Sequence, residues 1–465
     1  MGGLSSMRAR MATAIAASLC LAMAGLALAF ALLQGGAPAV AAQSTEAIHM
    51  GVASCSGSTC HGRQEADGRV VRQDELMRWQ EESTPGGAHS RAFRTLTEPR
   101  SRAIAARLGI GDPASAAMCL GCHSDPAAKR GARFQTSDGV GCEACHGGAE
   151  NWLQSHYAVG ASPARNIAAG MTALTDPRAR AATCLDCHFG SAEPGQFVNH
   201  RIMAAGHPRI SFELDLFSTL QQHHDEDADY ARRKGRTNSV RMWAVGQAMA
   251  LERALTLYGN PRIGQEGAFP EFYFFDCHTC HRRISDEPEA RPAGVANPAR
   301  PIPVGMPAFN DENMIMLAAA VRVAAPAQAA AFDADSRAFH AGLAADRASA
   351  VRAAAKLRQT AAALASSFTK AQFTRAQTFQ IIDTIAGEAI APRYTDYEGS
   401  VQAVMAVDTL LNALVNSGQL PAASVSGIRA DINTAYAAVR DPNAYRPLEF
   451  RRALGSATRT IRTLR

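Results

Sequence analysis

The stretch Asp138-Gly-Val-Gly-Cys142-Glu-Ala-Cys145-His146-Gly-Gly decides how this chain is read. Its two cysteines are separated by two residues, and a histidine follows directly, so two thiols and an imidazole share one short turn. Covalent attachment of a c-type haem uses this arrangement: the thiols add to the two vinyl groups and the histidine reaches the iron. The unit recurs as Cys119-Leu-Gly-Cys122-His123, Cys184-Leu-Asp-Cys187-His188 and Cys277-His-Thr-Cys280-His281. A wider form, Cys55-Ser-Gly-Ser-Thr-Cys60-His61, puts four residues between the thiols, so its loop must bulge for both thioether bonds to form.

Two other uses of paired cysteines compete with haem. Structural zinc takes tetrahedral thiolate and imidazole sets, and two pairs could share one ion. Disulfides suit an exported chain. Neither gives a reason for a histidine after the second cysteine of every pair. Ten of the eleven cysteines fall into the five pairs, so the pattern implies five haem c groups.

Each iron then needs a sixth ligand or stays open. Fourteen histidines less the five motif ones leave nine. His278 is confined within its own attachment loop, His340 lies in a cysteine-free region, and His49 sits close to the N-terminal segment. Six remain between the first and last units: His89, His156, His200, His207, His223 and His224. Sequence neighbours diverge by about 100° on a helix, so one of His223 and His224 is expected to face a given iron. That leaves five candidates for five irons. Met203 and Met306 are alternative donors that the histidine count makes unnecessary.

Several stretches resemble the cytochrome c554 family of multihaem c-type cytochromes. They are Trp79 followed by Ala88-His89-Ser-Arg-Ala-Phe93, Gly139-Val-Gly-Cys-Glu-Ala-Cys-His146-Gly leading to His156, and Ala205-Gly-His207-Pro-Arg-Ile-Ser-Phe-Glu213. The resemblance implies that His89, His156 and His207 are distal ligands. It favours the first histidine of His223-His-Asp-Glu-Asp-Ala-Asp-Tyr230 as another, while His200 follows from the count. It covers roughly residues 48–285. The wide Cys55–Cys60 unit, a fifth haem and the region beyond residue 310 depart from the family pattern.

Outside the motifs, composition sets the organisation. Residues 1–42 carry Arg8 and Arg10, an apolar run from Thr13 to Leu33, and the small-residue site Ala39-Val40-Ala41. This reads as a secretory signal. The run is also long enough for an uncleaved anchor tying the protein to the inner membrane. Export to the periplasm agrees with covalent haem attachment. Residues 43–285 form the expected pentahaem domain. Within it Ser239–Tyr258 reads as a helix with Trp243, Ala250, Leu251, Ala254 and Tyr258 on one side, closed by Gly259. Asp225–Asp229 followed by Arg232–Arg236 reads as a solvated loop with internal charge pairing or, more sharply, a docking patch.

Six prolines between Asp286 and Pro307 mark an extended linker over residues 286–309. Residues 310–465 contain no cysteine and only one histidine, and they read as a bundle of five or six helices. Thr395-Asp-Tyr-Glu398 and Thr369-Lys-Ala-Gln372 are expected capping boxes, and Pro421 and Pro447 expected helix starts. The fold class is therefore mainly α: a loop-rich multihaem cytochrome domain with little β structure, then a C-terminal helical bundle. Hydrophobic residues make up 47% of the chain and aromatics only 6%, in keeping with porphyrins filling part of a core.

The formal charge of +5 is mild and no basic stripe is interleaved with aromatics, so nucleic acid is not an expected partner. Two imidazoles per iron keep it low-spin and of low potential. The sequence thus predicts an exported electron-transfer cytochrome serving redox partner proteins such as a quinol-linked membrane donor; the helices of the bundle read as packing against one another or, more sharply, as a docking or self-association surface. The alternative is a pentahaem reductase of small nitrogen or sulfur oxyanions with one open haem. The size and haem count resemble the ammonia-forming nitrite reductases, but the Cys-x-x-Cys-Lys unit typical of them is absent. No catalytic residue is assigned.

Overall fold

A helix that is buried almost all round its circumference organises the molecule. It spans Ser239–Gly259 and starts where the Asn238 side chain accepts the Arg241 N–H. Trp243, Ala244, Val245, Ala248 and Tyr258 on it are fully buried. The expectation of a single apolar side is thus too narrow, because the helix has neighbours on several flanks. It packs on Pro177–His188, Leu214–Leu220, Glu312–Ala324, Arg347–Lys370 and Tyr397–Asn416. Gly246 lets one neighbour come close: a Cβ there would stand 2.5 Å from the Leu214 Cβ.

The computed structural model describes residues 47–67, 72–264, 271–281, 300–303, 306–391 and 396–465. The expected signal or anchor, Cys20, Thr395 and most of the proline-rich segment lie outside these residues. The fold is mainly α. Among the described residues there is no sheet, and the β structure amounts to two isolated bridges, His49–Arg130 and Phe275–Phe309. No described helix is long and apolar enough to cross a membrane.

Short helices separated by turns carry the cysteine units, and longer ones follow. Residues from Gln43 to Arg465 form one compact unit. Its main core runs across the compositional boundary. Tyr258 meets Phe274, Phe309 and Phe339 edge-on at 5.5, 5.8 and 5.5 Å between ring centroids. Phe339 belongs to the cysteine-free region, yet it is fully buried against aromatics that precede it.

Polar groups cross the same boundary. Asp276 accepts the His278 and Thr279 N–H groups at the start of the last cysteine unit, and its other oxygen accepts the Glu398 N–H at 3.1 Å. Arg209 lies between Glu312 (3.6 Å) and Glu398 (3.7 Å). Burial pushes the Asp276 and Glu312 carboxyls up to about 8, and neighbouring acids reinforce the shift. Arg300 joins Asp311 to Asp396, and His340 donates to Asp311 at 3.1 Å.

The C-terminal region has eight described α-helical segments rather than five or six: 312–324, 326–345, 347–370, 375–389, 397–416, 422–426, 429–438 and 447–462. Pro447 begins the last one, and Pro421 caps Ala422–Ser426. The expected box at Thr369 does not form. The helix runs on to Lys370, where the Thr369 hydroxyl donates back to the Ala365 carbonyl at 2.9 Å. A capping box forms instead at Thr374 and Gln377.

Candidate functional site

Three of the regular units lie on helical turns, Ala117–His123, Cys142–His146 and Pro177–His188, and the fourth on Cys277–Cys280. In the fourth, the His281 N–H donates to the Cys277 carbonyl at 2.8 Å. The wide unit keeps this bond, since the His61 N–H donates to the Cys55 carbonyl at 3.2 Å. Its two extra residues are absorbed by a turn in which the Cys60 N–H reaches the Gly57 carbonyl. The first cysteine and the histidine therefore keep the same mutual register despite the insertion. None of the ten cysteines of these units is joined in a disulfide.

Surrounding residues fix the turns. Glu143, inside the central unit, is buried and accepts the N–H groups of Met50, Gly51 and Ala149 at 2.7–2.8 Å. Gly139, at φ 74°, lies so close to the chain around His89 that a Cβ would sit 2.5 Å from the His89 carbonyl oxygen. The Val140 N–H donates to that carbonyl, and the Trp79 indole donates to the Val140 carbonyl. Three separated pieces of sequence, around Trp79, His89 and Gly139-Val-Gly, are thus one local scaffold.

Every motif histidine faces a second imidazole. Ring centroids are 6.3 Å apart for His61 and His156, 5.9 Å for His188 and His89, 6.2 Å for His123 and His207, and 6.2 Å for His281 and His200. His146 faces both His223 (6.2 Å) and His224 (6.1 Å). Metal–imidazole bonds of about 2 Å on either side of one ion place ring centroids roughly 6 Å apart. These are separations for an intervening iron, not for direct stacking.

Hydrogen bonds orient the rings. Nδ1 of His123, His156, His207 and His223 lies 2.6–3.0 Å from the carbonyl oxygens of Ala92, Leu153, Pro208 and Gln221, respectively. Nδ1 of His61 lies 3.0 Å from Glu75 Oε2. A carbonyl or carboxylate oxygen can only accept, so each Nδ1 carries the proton and Nε2 keeps its lone pair for a metal. Burial, aided by repulsion from neighbouring imidazoles, lowers His146 to about 3 and His188 and His223 to about 4. These rings are neutral at neutral pH, as metal ligation requires.

The histidines set aside sit elsewhere. His49 pairs with Asp125 at 2.9 Å, His278 packs edge-on against Tyr445, and His340 joins the Asp311 network. Two participants, Glu75 and Gln221, had no motif to announce them, and His224 was a candidate that the sequence ranked behind His223. His224 is as close to His146 as His223 is. Glu75 bonds His61, and Gln221 holds His223 with its carbonyl and His89 with its side chain. Only chain tracing brings them in, although a buried glutamate at the start of Glu75–Gln80 fits a helix N-terminus. The acidic run at Asp225 pairs outward, to Arg78 at 2.8 Å and to Arg72; Asp229–Arg232 is an internal pair.

The units also touch one another. The thiols of Cys55 and Cys142 are hydrogen-bond neighbours, as are those of Cys122 and Cys187. Cys187 Sγ lies 3.7 Å from the Gly121 carbonyl oxygen. Cys145 and Cys184 are near neighbours. Arg209, two residues after His207, is close enough to influence Cys277.

Paired thiols beside a histidine, with a second neutral imidazole opposite, define the site of a c-type cytochrome, an electron carrier. Residues 54–147, about a fifth of the chain, match the family model described as cytochrome c554 and c-prime, so this stretch is similar to that family. No curated protein and no solved structure matches the chain. The family implies haem c, and the residues present fit it.

Glu75 gives a specific expectation here. Its side chain is only 8% exposed and its carboxylate draws on the His61 N–H, which makes that imidazole a stronger donor to a ferric centre. The hydrogen bond from His61 and the nearby His224 imidazole outweigh burial and keep its pKa well below the usual range. Glu75→Gln should raise the potential of one centre by roughly 60 mV, a tenfold change in its oxidised-to-reduced ratio. Potentiometric titration of the visible bands checks this, and unchanged potentials would remove Glu75 from the site.

Proposed function

We propose that this is an exported, periplasmic cytochrome that carries five c-type haems and relays electrons between respiratory redox partners. The proximal residues are His61, His123, His146, His188 and His281, and the attachment residues are the ten cysteines of the five units. The opposing ligands are His156, His207, His223, His89 and His200 in the same order. When bound, haem c supplies a one-electron ferric–ferrous couple. The chain orients paired neutral imidazoles, fixes their tautomers through carbonyl and carboxylate acceptors, and brings successive units into contact.

The observation that carries this reading is that every motif histidine has an opposing ring at 5.9–6.3 Å. Such pairing supports a closed conduit over a reductase, which needs one open face. Contacts between units support a succession running from the Cys119 unit through those of Cys184 and Cys142 to that of Cys55, with Arg209, two residues after His207, near Cys277. This spatial order differs from the order along the chain. A membrane quinol-linked donor is the expected partner at one end, and anchoring through the N-terminal segment would keep the protein near it.

Carbon monoxide and turnover assays test the assignment. The reduced protein should bind no stoichiometric carbon monoxide, and nitrite, hydroxylamine and tetrathionate should not be turned over. One full equivalent of carbon monoxide, with turnover of any of the three, would establish the reductase instead.

A further inference from the structure

The His146 site differs from the other four, because two histidines face it. One ring nitrogen from each of His146, His223 and His224 lies within 4.8 Å of the others. The His223 and His224 rings are almost perpendicular to His146, at 87° and 89°, and their own centroids are 4.2 Å apart. Both therefore stand on the same side of the position an iron would take. A single sixth coordination position opposite His146 has room for one nitrogen at a time.

Each ring has its own acceptor behind it. His223 Nδ1 is 3.0 Å from the Gln221 carbonyl oxygen, a hydrogen bond made within its own turn. His224 Nδ1 lies 3.6 Å from Glu75 Oε1, an ion-pair distance rather than a formed hydrogen bond. In either case the acceptor lies on the Nδ1 side and leaves Nε2 for metal. The connecting segment is short, from the end of Leu214–Leu220 to Asp227, which caps Ala228–Lys234. Asp225 ties it to Arg78 on the Glu75 helix. Exchange of one ring for the other thus asks for a local rotation within this segment, with both ends held.

Resting on the haem reading above, we infer that the iron bound by His146 has two interchangeable sixth ligands, His223 and His224. Neither histidine is individually required to keep that iron closed. Each of the other four opposing histidines is the single ring placed against its motif partner. The arrangement gives one iron in the succession two alternative ligand fields, one backed by a peptide carbonyl and the other by the carboxylate that also holds His61.

The test uses the full-length haem-loaded protein and the variants His223→Ala, His224→Ala and the double substitution. Haem-to-protein ratio, peptide mass at Cys142–Cys145, low-temperature electron paramagnetic resonance and carbon monoxide binding are read on each. Both single variants should remain fully low-spin and bind no carbon monoxide, with one low-spin signal differing between them. The double variant should gain one high-spin iron and one equivalent of carbon monoxide. A high-spin iron in either single variant overturns the inference, as does a double variant that stays fully low-spin. If the double variant does not assemble, the two single variants decide the matter alone. Absence of haem at Cys142–Cys145 in the unsubstituted protein would instead refute the haem reading itself.

Discussion

Replacing His207 by alanine should convert one iron from low-spin to high-spin and create one equivalent of carbon monoxide binding per protein. The His207 ring stands 6.2 Å from that of His123, and its Nδ1 is held by the Pro208 carbonyl at 2.8 Å. Removing the ring leaves the side opposite His123 without its aligned imidazole. His89→Ala and His156→Ala should each have the same effect at the irons of His188 and His61. The His89 backbone carbonyl, which accepts the Val140 N–H in the scaffold of the central unit, is kept in the alanine variant, so that scaffold should survive the change. His49→Ala serves as a control: that ring pairs with Asp125, so the spin states should not change. Electron paramagnetic resonance with carbon monoxide titration reads all four variants. A His207→Ala protein that remains wholly low-spin would show that another residue fills the position.

The second large effect concerns stability. Phe339→Ala should destabilise the whole chain by about 3–5 kcal/mol, the range for truncating a buried phenylalanine. Phe339 is fully buried against Tyr258 and Phe309, at the seam where the cysteine-rich half meets the C-terminal helices. Because one core runs through both halves, the loss should appear as a single lowered unfolding transition, in calorimetry and in the haem bands alike. Ending the chain at residue 309 should have a still greater effect. It strips the Ser239–Gly259 helix of its packing against Glu312–Ala324, Arg347–Lys370 and Tyr397–Asn416. No folded, haem-loaded fragment is expected. Recovery of a stable pentahaem fragment ending there would contradict the shared core.

Much of the site was legible before folding was considered, for a chemical reason. Covalent attachment needs two thiols and an imidazole on one turn, which compresses the requirement into adjacent residues. The opposing ligands obey no such local rule. His200 and His281 meet although 81 positions separate them, and His61 meets His156 across a comparable interval. Counting could suggest which histidines serve, but which ring opposes which depends on the path of the chain. The helical argument that His223 and His224 must diverge fails because they lie between helices, where backbone rotation lets neighbouring side chains turn the same way. Glu75 and Gln221 were invisible because they belong to no motif and matter only through what they touch.

The fold was legible in class and less so in organisation. Proline spacing and the loss of cysteine beyond residue 310 register a change in side-chain chemistry, whereas burial depends on which apolar faces meet. Tyr258, Phe274, Phe309 and Phe339 come from both sides of that change and form one cluster. The misplaced capping box has a local cause. Thr369 bonds its own helix at Ala365, and the chain waits until Thr374 to begin the next.

Every unit, the wide Cys55–Cys60 one included, should hold a haem between two imidazoles. Haem-to-protein ratio and integrated low-spin resonance intensity, measured on the same oxidised sample, test it most directly. Five haems and five low-spin irons per chain are expected. Four haems, or five haems with a high-spin iron among them, would contradict it.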